Sequence, residues 1–192
     1  MKLNFRLGKI VDYAHKKVDV SVATSKFFSK KSANKLLENS VVSALFNEWL
    51  IFDYRNKLGT SIIAEYYLKN PDSLTKDQLK QLEQVVKTER YEVMEVISIT
   101  RDKGLSIRIV RTGEILFVDD LAGSRSATVP SLFFNRLAKT DGKWIFVGCD
   151  NVSFPTRLSE TARKHFAKIL NKEKNTPKLV LDVFGDRFVN ND

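Results

Sequence analysis

The chain has 192 residues, 43% of them hydrophobic, with 32 Lys and Arg against 23 Asp and Glu for a formal net charge of +9. That composition excludes a disordered or collagen-like chain, and one cysteine excludes a disulfide framework or a multi-cysteine zinc site. No apolar run approaches the ~18 residues of a membrane span, and Lys2, Arg6 and Lys9 precede no apolar signal core, so no membrane partner and a cytoplasmic location are expected.

Leu3, Phe5 and Leu7 alternate, which suits a short strand or the lead-in to a helix. Ile10, Val11, Ala14 and Val18 have helical spacing, whereas Val18, Val20 and Val22 alternate and leave that segment's type open. The first forty residues are expected to form a basic N-terminal segment of helical character, separate from a domain spanning 41–192. Val41 to Arg55 is the clearest helix, with Val42, Leu45, Phe46, Trp49, Leu50 and Phe52 on one broad apolar face. A turn over Asn56-Lys57-Leu58-Gly59 follows. Thr60 is expected to cap a second helix that stops before Pro71. Thr75-Lys76-Asp77-Gln78 is a capping box, which opens a third helix with Leu79, Leu82 and Val86 on one side.

From Arg90 to Asp150 the pattern changes to short strands. Leu105, Ile107 and Ile109 alternate with Ser106, Arg108 and Val110. In the preceding run, Tyr91 to Ile99, Glu95 interrupts the alternation and suggests a bulge there. Asp102-Lys103-Gly104, Thr112-Gly113 and Asp141-Gly142 carry the turn chemistry of three hairpins. Ile115 to Val118 is a short apolar run that reads as a strand buried on both faces. Leu132–Lys139 and Lys143–Cys149 flank the last turn and should pair. Five or six such strands fit a small antiparallel barrel-like sheet, whose closure removes exposed edges. After Phe154-Pro155, Thr156 or Ser159 can cap a C-terminal helix with Leu158, Ala162, Phe166 and Ile169 on its buried side. Leu179 to Phe184 reads as a returning strand. The expected fold is therefore α+β: helices, then the sheet, then a helix.

Charge is uneven along this plan. Residues 1–40 carry nine Lys/Arg against three Asp/Glu (+6), and 156–192 carry eight against five (+3). The intervening stretches 41–90 and 91–155 balance, at seven against seven and eight against eight. A basic surface attracts anions such as nucleic acid, and it also serves simply as a solvated surface. Near Phe27-Phe28, Lys26, Lys30, Lys31 and Lys35 suit a single-strand-binding surface, or a helix docked on the core by its two Phe. Lys164, Lys168 and Lys172 form a basic row that suits a phosphate backbone or the C-terminal dipole of their own helix. Gly123-Ser124-Arg125-Ser126 is a turn able to hold a phosphate or carboxylate, or one in which Arg125 pairs with Asp119 or Asp120.

No catalytic signature emerges. There is no phosphate-cradling glycine loop and no paired-histidine metal motif, and His15 and His165 lie far apart. Cys149 reads as a small core residue. No enzyme activity, cofactor or metal is expected. The expected function is a non-catalytic binding module for nucleic acid, using the basic ends, or else a protein-interaction or regulatory module.

Several phrases carry a resemblance. They are 46–55, Phe-Asn-Glu-Trp-Leu-Ile-Phe-Asp-Tyr-Arg; 90–96, Arg-Tyr-Glu-Val-Met-Glu-Val; then Gly104 to Arg108, Thr112-Gly113-Glu114 and Ser124 to Ala127. In order and spacing this stretch resembles an uncharacterised bacterial family whose members often carry a zinc-binding SEC-C motif. The resemblance implies a helical lead-in followed by a compact β domain and implies no activity. The SEC-C motif itself is absent, because only Cys149 is available.

Overall fold

The computed structural model describes residues 3–28, 36–148, 152–172 and 177–182. The chain divides into two compact units, a helical one formed by residues 4–86 and 177–192 and a strand unit formed by 1–3 and 87–176. The division falls at residue 86–87, whereas the sequence reading set a boundary at residue 40.

The helical unit is built from α1 (Leu7–Lys17), α2 (Val20–Phe27), α3 (Ser40–Phe52), α4 (Ile62–Lys69) and α5 (Lys76–Thr88). The ambiguous Val18–Val22 stretch is helical from Val20, because the Asp19 carboxylate accepts from the Val22 N–H and starts a new helix. Asn39 caps α3 by accepting from both Val41 and Val42. The cap position of α4 is Ser61 rather than Thr60, and Asn70 ends that helix in the left-handed conformation. The capping box at α5 is present, with Gln78 N–H donating to Thr75 Oγ1 at 3.3 Å and Thr75 N–H to Gln78 Oε1 at 3.0 Å. Residues 177–182 are helical and not a strand, with Val180 and Leu181 buried.

The core of this unit is aromatic. Phe27, Phe28, Phe46 and Trp49 sit with ring centroids 4.9 to 6.0 Å apart, and Phe27 is fully buried.

The strand unit holds six strands: β1 (Arg90–Thr100), β2 (Gly104–Ile109), β3 (Ile115–Val118), β4 (Ser131–Thr140), β5 (Lys143–Phe146) and β6 (Val152–Phe154). Their order is β1-β2-β3-β5-β4-β6, and β1 also pairs with β4. Five strands therefore form a ring, with β6 alongside β4. Strand β4 returns to lie beside β1, which is the Greek-key arrangement. The expectation of an all-antiparallel sheet is corrected at one point: β3 and β5 pair in parallel at Val118 and Trp144.

One long strand makes the ring possible. β1 pairs with β4 through Arg90–Val96 and with β2 through Met94–Thr100. Its register shifts between Val96 and Ser98, not at Glu95, which pairs regularly with Arg108. The extra residue bends β1 so that its two halves serve different neighbours. Met94, Val96, Leu105, Ile107, Ile109, Val118, Phe133 and Leu137 fill the interior.

The C-terminal helix of this unit, here α7, spans Glu160–Lys172, with Ser159 Oγ accepting from the Ala162 N–H. Its only fully buried residue is Leu170, so the expected stripe of Leu158, Ala162, Phe166 and Ile169 is half-buried. A short helical turn, α6 (Gly123–Ser126), lies between β3 and β4.

Candidate functional site

The four residues of β3 do not behave as a strand buried on both sides. Leu116 packs on the core and Val118 is fully buried, whereas Ile115 and Phe117 point out and are 61% and 48% exposed. The apolar run concealed an ordinary alternation, because its outward residues are as hydrophobic as its inward ones.

Phe117 lies on the floor of a cleft of about 610 Å³. One side is the β1–β2 turn with Asp102 and Lys103, and the other is the β4–β5 turn with Gly142 and Lys143. Leu121, half-exposed, and Trp144 add apolar wall. Each turn relies on left-handed backbone: Asp102 has φ 61°, Asp141 φ 48° and Gly142 φ 79°. Gly104 brings β2 against β3 at the cleft's edge. A Cβ there would meet the Val118 carbonyl oxygen at 2.0 Å, which no side chain tolerates without backbone movement.

Both acids of the cleft are paired. Arg125 Nε donates to Asp102 Oδ1 at 2.6 Å, and Lys143 Nζ to Asp119 Oδ2 at 3.0 Å. Arg125 thus pairs across the turn and not with Asp119 or Asp120. The first pair is more than half exposed on both sides, so water and salt weaken it and it can exchange for another anion. The Lys103 ammonium has no partner among the described residues. Among the described residues, three cations therefore meet two acids around one exposed ring.

The other candidates from the sequence lie elsewhere. Lys26, in the helical unit, has its ammonium 5.1 Å from the Tyr54 ring. Because Phe27 and Phe28 are buried, they dock α2 on its core and offer no stacking surface. Lys30, Lys31 and Lys35 lie outside the described residues, as does Cys149. Lys164 pairs with Glu160 at 2.7 Å, and Lys168 and Lys172 are exposed on α7 in the strand unit. His15 bonds Asn47 at 2.8 Å, and among the described residues no group of three or more His, Cys, Asp or Glu is placed to hold a metal. No described helix is long and apolar enough to cross a membrane.

Sequence reasoning missed Lys103, Phe117, Leu121 and Lys143. A signal was present for two of them, since each hairpin turn places a Lys beside its Gly, at Lys103-Gly104 and Gly142-Lys143.

Fold and cleft define an α+β protein with a ligand-sized groove across a five-stranded ring. No family model, curated protein or solved structure matches the chain, so the reading of function rests on the geometry above.

Proposed function

We propose that the strand unit is a non-catalytic module binding single-stranded nucleic acid in the cleft over β3. The observation that carries the reading is Phe117, an exposed aromatic ring floored between two lysine-bearing turns. An exposed aromatic flanked by cations is what sequence-tolerant single-strand binding requires: a base stacks on the ring and the cations follow the phosphates. A five-stranded Greek-key ring is also the architecture on which OB-folds bind oligonucleotides. They use their second and third strands with the loops joining strands 1–2 and 4–5. The same elements border this cleft, and that support is a fold-level analogy. Lys168 and Lys172, and the basic stretch of residues 1–40, would add electrostatic attraction without selecting a sequence.

The alternative is a protein-interaction or regulatory module that takes a partner on the aromatic-rich helix or on an edge of the sheet; the helix lends it little support, because Phe46 and Trp49 are buried.

The test is an anisotropy titration of a labelled single-stranded oligonucleotide, repeated across salt concentrations and against a duplex. With Lys103, Lys143 and Arg125 each meeting a phosphate, log K should fall with log salt at a slope of about −2. Phe117→Ala should weaken binding by about 1–3 kcal/mol while leaving the salt slope unchanged. Absence of binding at low salt, or equal binding by Phe117→Ala, removes the reading.

A further inference from the structure

A second cavity, of about 200 Å³, opens at another part of the strand unit and shares no lining residue with the cleft. Its apolar wall comes from Val96, Leu105, Phe133, Phe146 and Phe154, one residue from each of five strands. Its polar side comes chiefly from Asp120 and Ser126, in the segment joining β3 to β4, and from Ser131 at the start of β4.

Thr128 and Ser153 add two hydroxyls to this lining, and two of its serines have committed their protons elsewhere. The Ser126 hydroxyl donates to the Ala122 carbonyl at 3.2 Å and the Ser131 hydroxyl to the Thr128 carbonyl at 2.9 Å. With their protons committed, both oxygens present lone pairs to the cavity. The Asp120 carboxylate has no hydrogen-bond or ion-pair partner among the described residues. It is held beside Gly123, where an added Cβ would lie 2.2 Å from Asp120 Oδ2 and 3.3 Å from Leu105 Cδ1. The glycine therefore leaves the room that the carboxylate occupies. A half-buried carboxylate in the same cavity as two serine oxygens whose protons are committed calls for a ligand that is cationic and rich in donors.

We propose that this cavity binds a compact primary amine, with its ammonium on Asp120 and its apolar body against Phe133 and Phe146. An ammonium supplies three donors and no acceptor, which suits a cavity lined by the Asp120 carboxylate and the Ser126 and Ser131 oxygens. A cavity of 150 Å³ accepts benzene, so 200 Å³ suits a body of about eight heavy atoms. The inference does not depend on the reading of the cleft.

Benzylamine is the probe, with benzyl alcohol as its neutral counterpart of equal size and benzoate as the anion. Each is titrated into the 192-residue chain and followed by amide chemical shifts. Benzylamine should shift the signals of Gly123, Ala127 and Ser131 saturably and bind at least about tenfold more tightly than benzyl alcohol, and benzoate should not bind. Asp120→Asn, nearly isosteric, should retain a native spectrum and bring the amine and the alcohol to equal affinity. Ala127→Leu should exclude both by filling the cavity. The proposal is overturned by the lack of saturable benzylamine shifts, by equal binding of amine and alcohol to the wild type, or by an amine preference that survives in Asp120→Asn.

Discussion

Each unit gathers three donors onto one carboxylate, and the two units do so differently. In the helical unit Glu65 accepts from Tyr13 at 2.9 Å, Asn56 at 2.7 Å and Lys69 at 2.6 Å, with two of these partners close in sequence. In the strand unit Glu95 accepts from the Leu158 N–H at 3.0 Å, Arg163 at 2.9 Å and Arg108 at 3.5 Å. Two of those partners lie more than sixty residues away along the chain. Glu65 is 16% exposed and Glu95 only 5%. Helices close their backbone bonds locally, and the buried side chains of the helical unit are mostly apolar, with Thr24, Glu48 and Gln81 the polar exceptions among the described residues. Strands in a ring present a second face, and here that outer face buries Glu95 and Arg136, while Glu92, on the same side of β1 as Met94 and Val96, is buried as well. Each must then be paired, because an unpaired buried charge is expensive. Hence Glu92 receives Arg111 at 2.8 Å, and Arg136 bonds Glu89 while its guanidinium lies 5.5 Å from the Tyr91 ring.

Substitutions in the two units should therefore fail for different reasons. The two tryptophans, Trp49 in the helical unit and Trp144 in the strand unit, allow each to be read alone in a Trp→Phe background. The largest expected loss is from Arg136→Ala, which removes the ion pair with Glu89 and the cation over the Tyr91 ring. It should cost about 3–5 kcal/mol in the Trp144-reported denaturant transition. Leu50→Ala in the helical unit should cost about 2–5 kcal/mol in the Trp49 signal, through a cavity and with no pH dependence. If Arg136→Ala is the milder of the two, the buried charges do not hold the strand unit together.

Glu95→Gln should cost about 2 kcal/mol at neutral pH. Its pH dependence has a definite sign. Burial pushes the Glu95 carboxyl up, but Arg163, the Leu158 N–H and Arg108 together outweigh it and hold it below its ordinary 4.5. The ionised carboxylate thus contributes stability above about pH 4.5 that is lost as pH falls through the depressed value. The gap between wild type and Glu95→Gln, measured in urea at several pH values, should be constant near neutrality and shrink in acid. A gap that widens in acid contradicts the assignment. The smallest effect on folding belongs to Phe117→Ala, within about 0.5 kcal/mol, because the ring is half-exposed. A large loss of stability there would make Phe117 a packing residue and not a ligand platform.

Much of the fold was legible in local residues. The Thr75 capping box, the hairpin turns at Asp102 and Asp141, and the apolar face of α3 rest on contacts within a few positions. The site was less legible. Glu95 looked like an interruption of the strand because its partners come from residues 158 and 163. Arg125 reads in the sequence as a cation in a turn paired with Asp119 or Asp120, whereas its partner is Asp102, from another hairpin.

By itself the sequence determined the helices of residues 41–88, the hairpin turns and most of the strands, since capping, turn chemistry and periodicity act over a few residues; it misread the segment at 177–182, which is helical. Tertiary structure alone decided that β1 would bend to pair with both β2 and β4, that β3 and β5 would run parallel, and that Phe117 would face the cleft. Those choices depend on which distant segment covers each face of a strand. A run such as Ile115-Leu116-Phe117-Val118, apolar on both faces, carries no local mark of the answer.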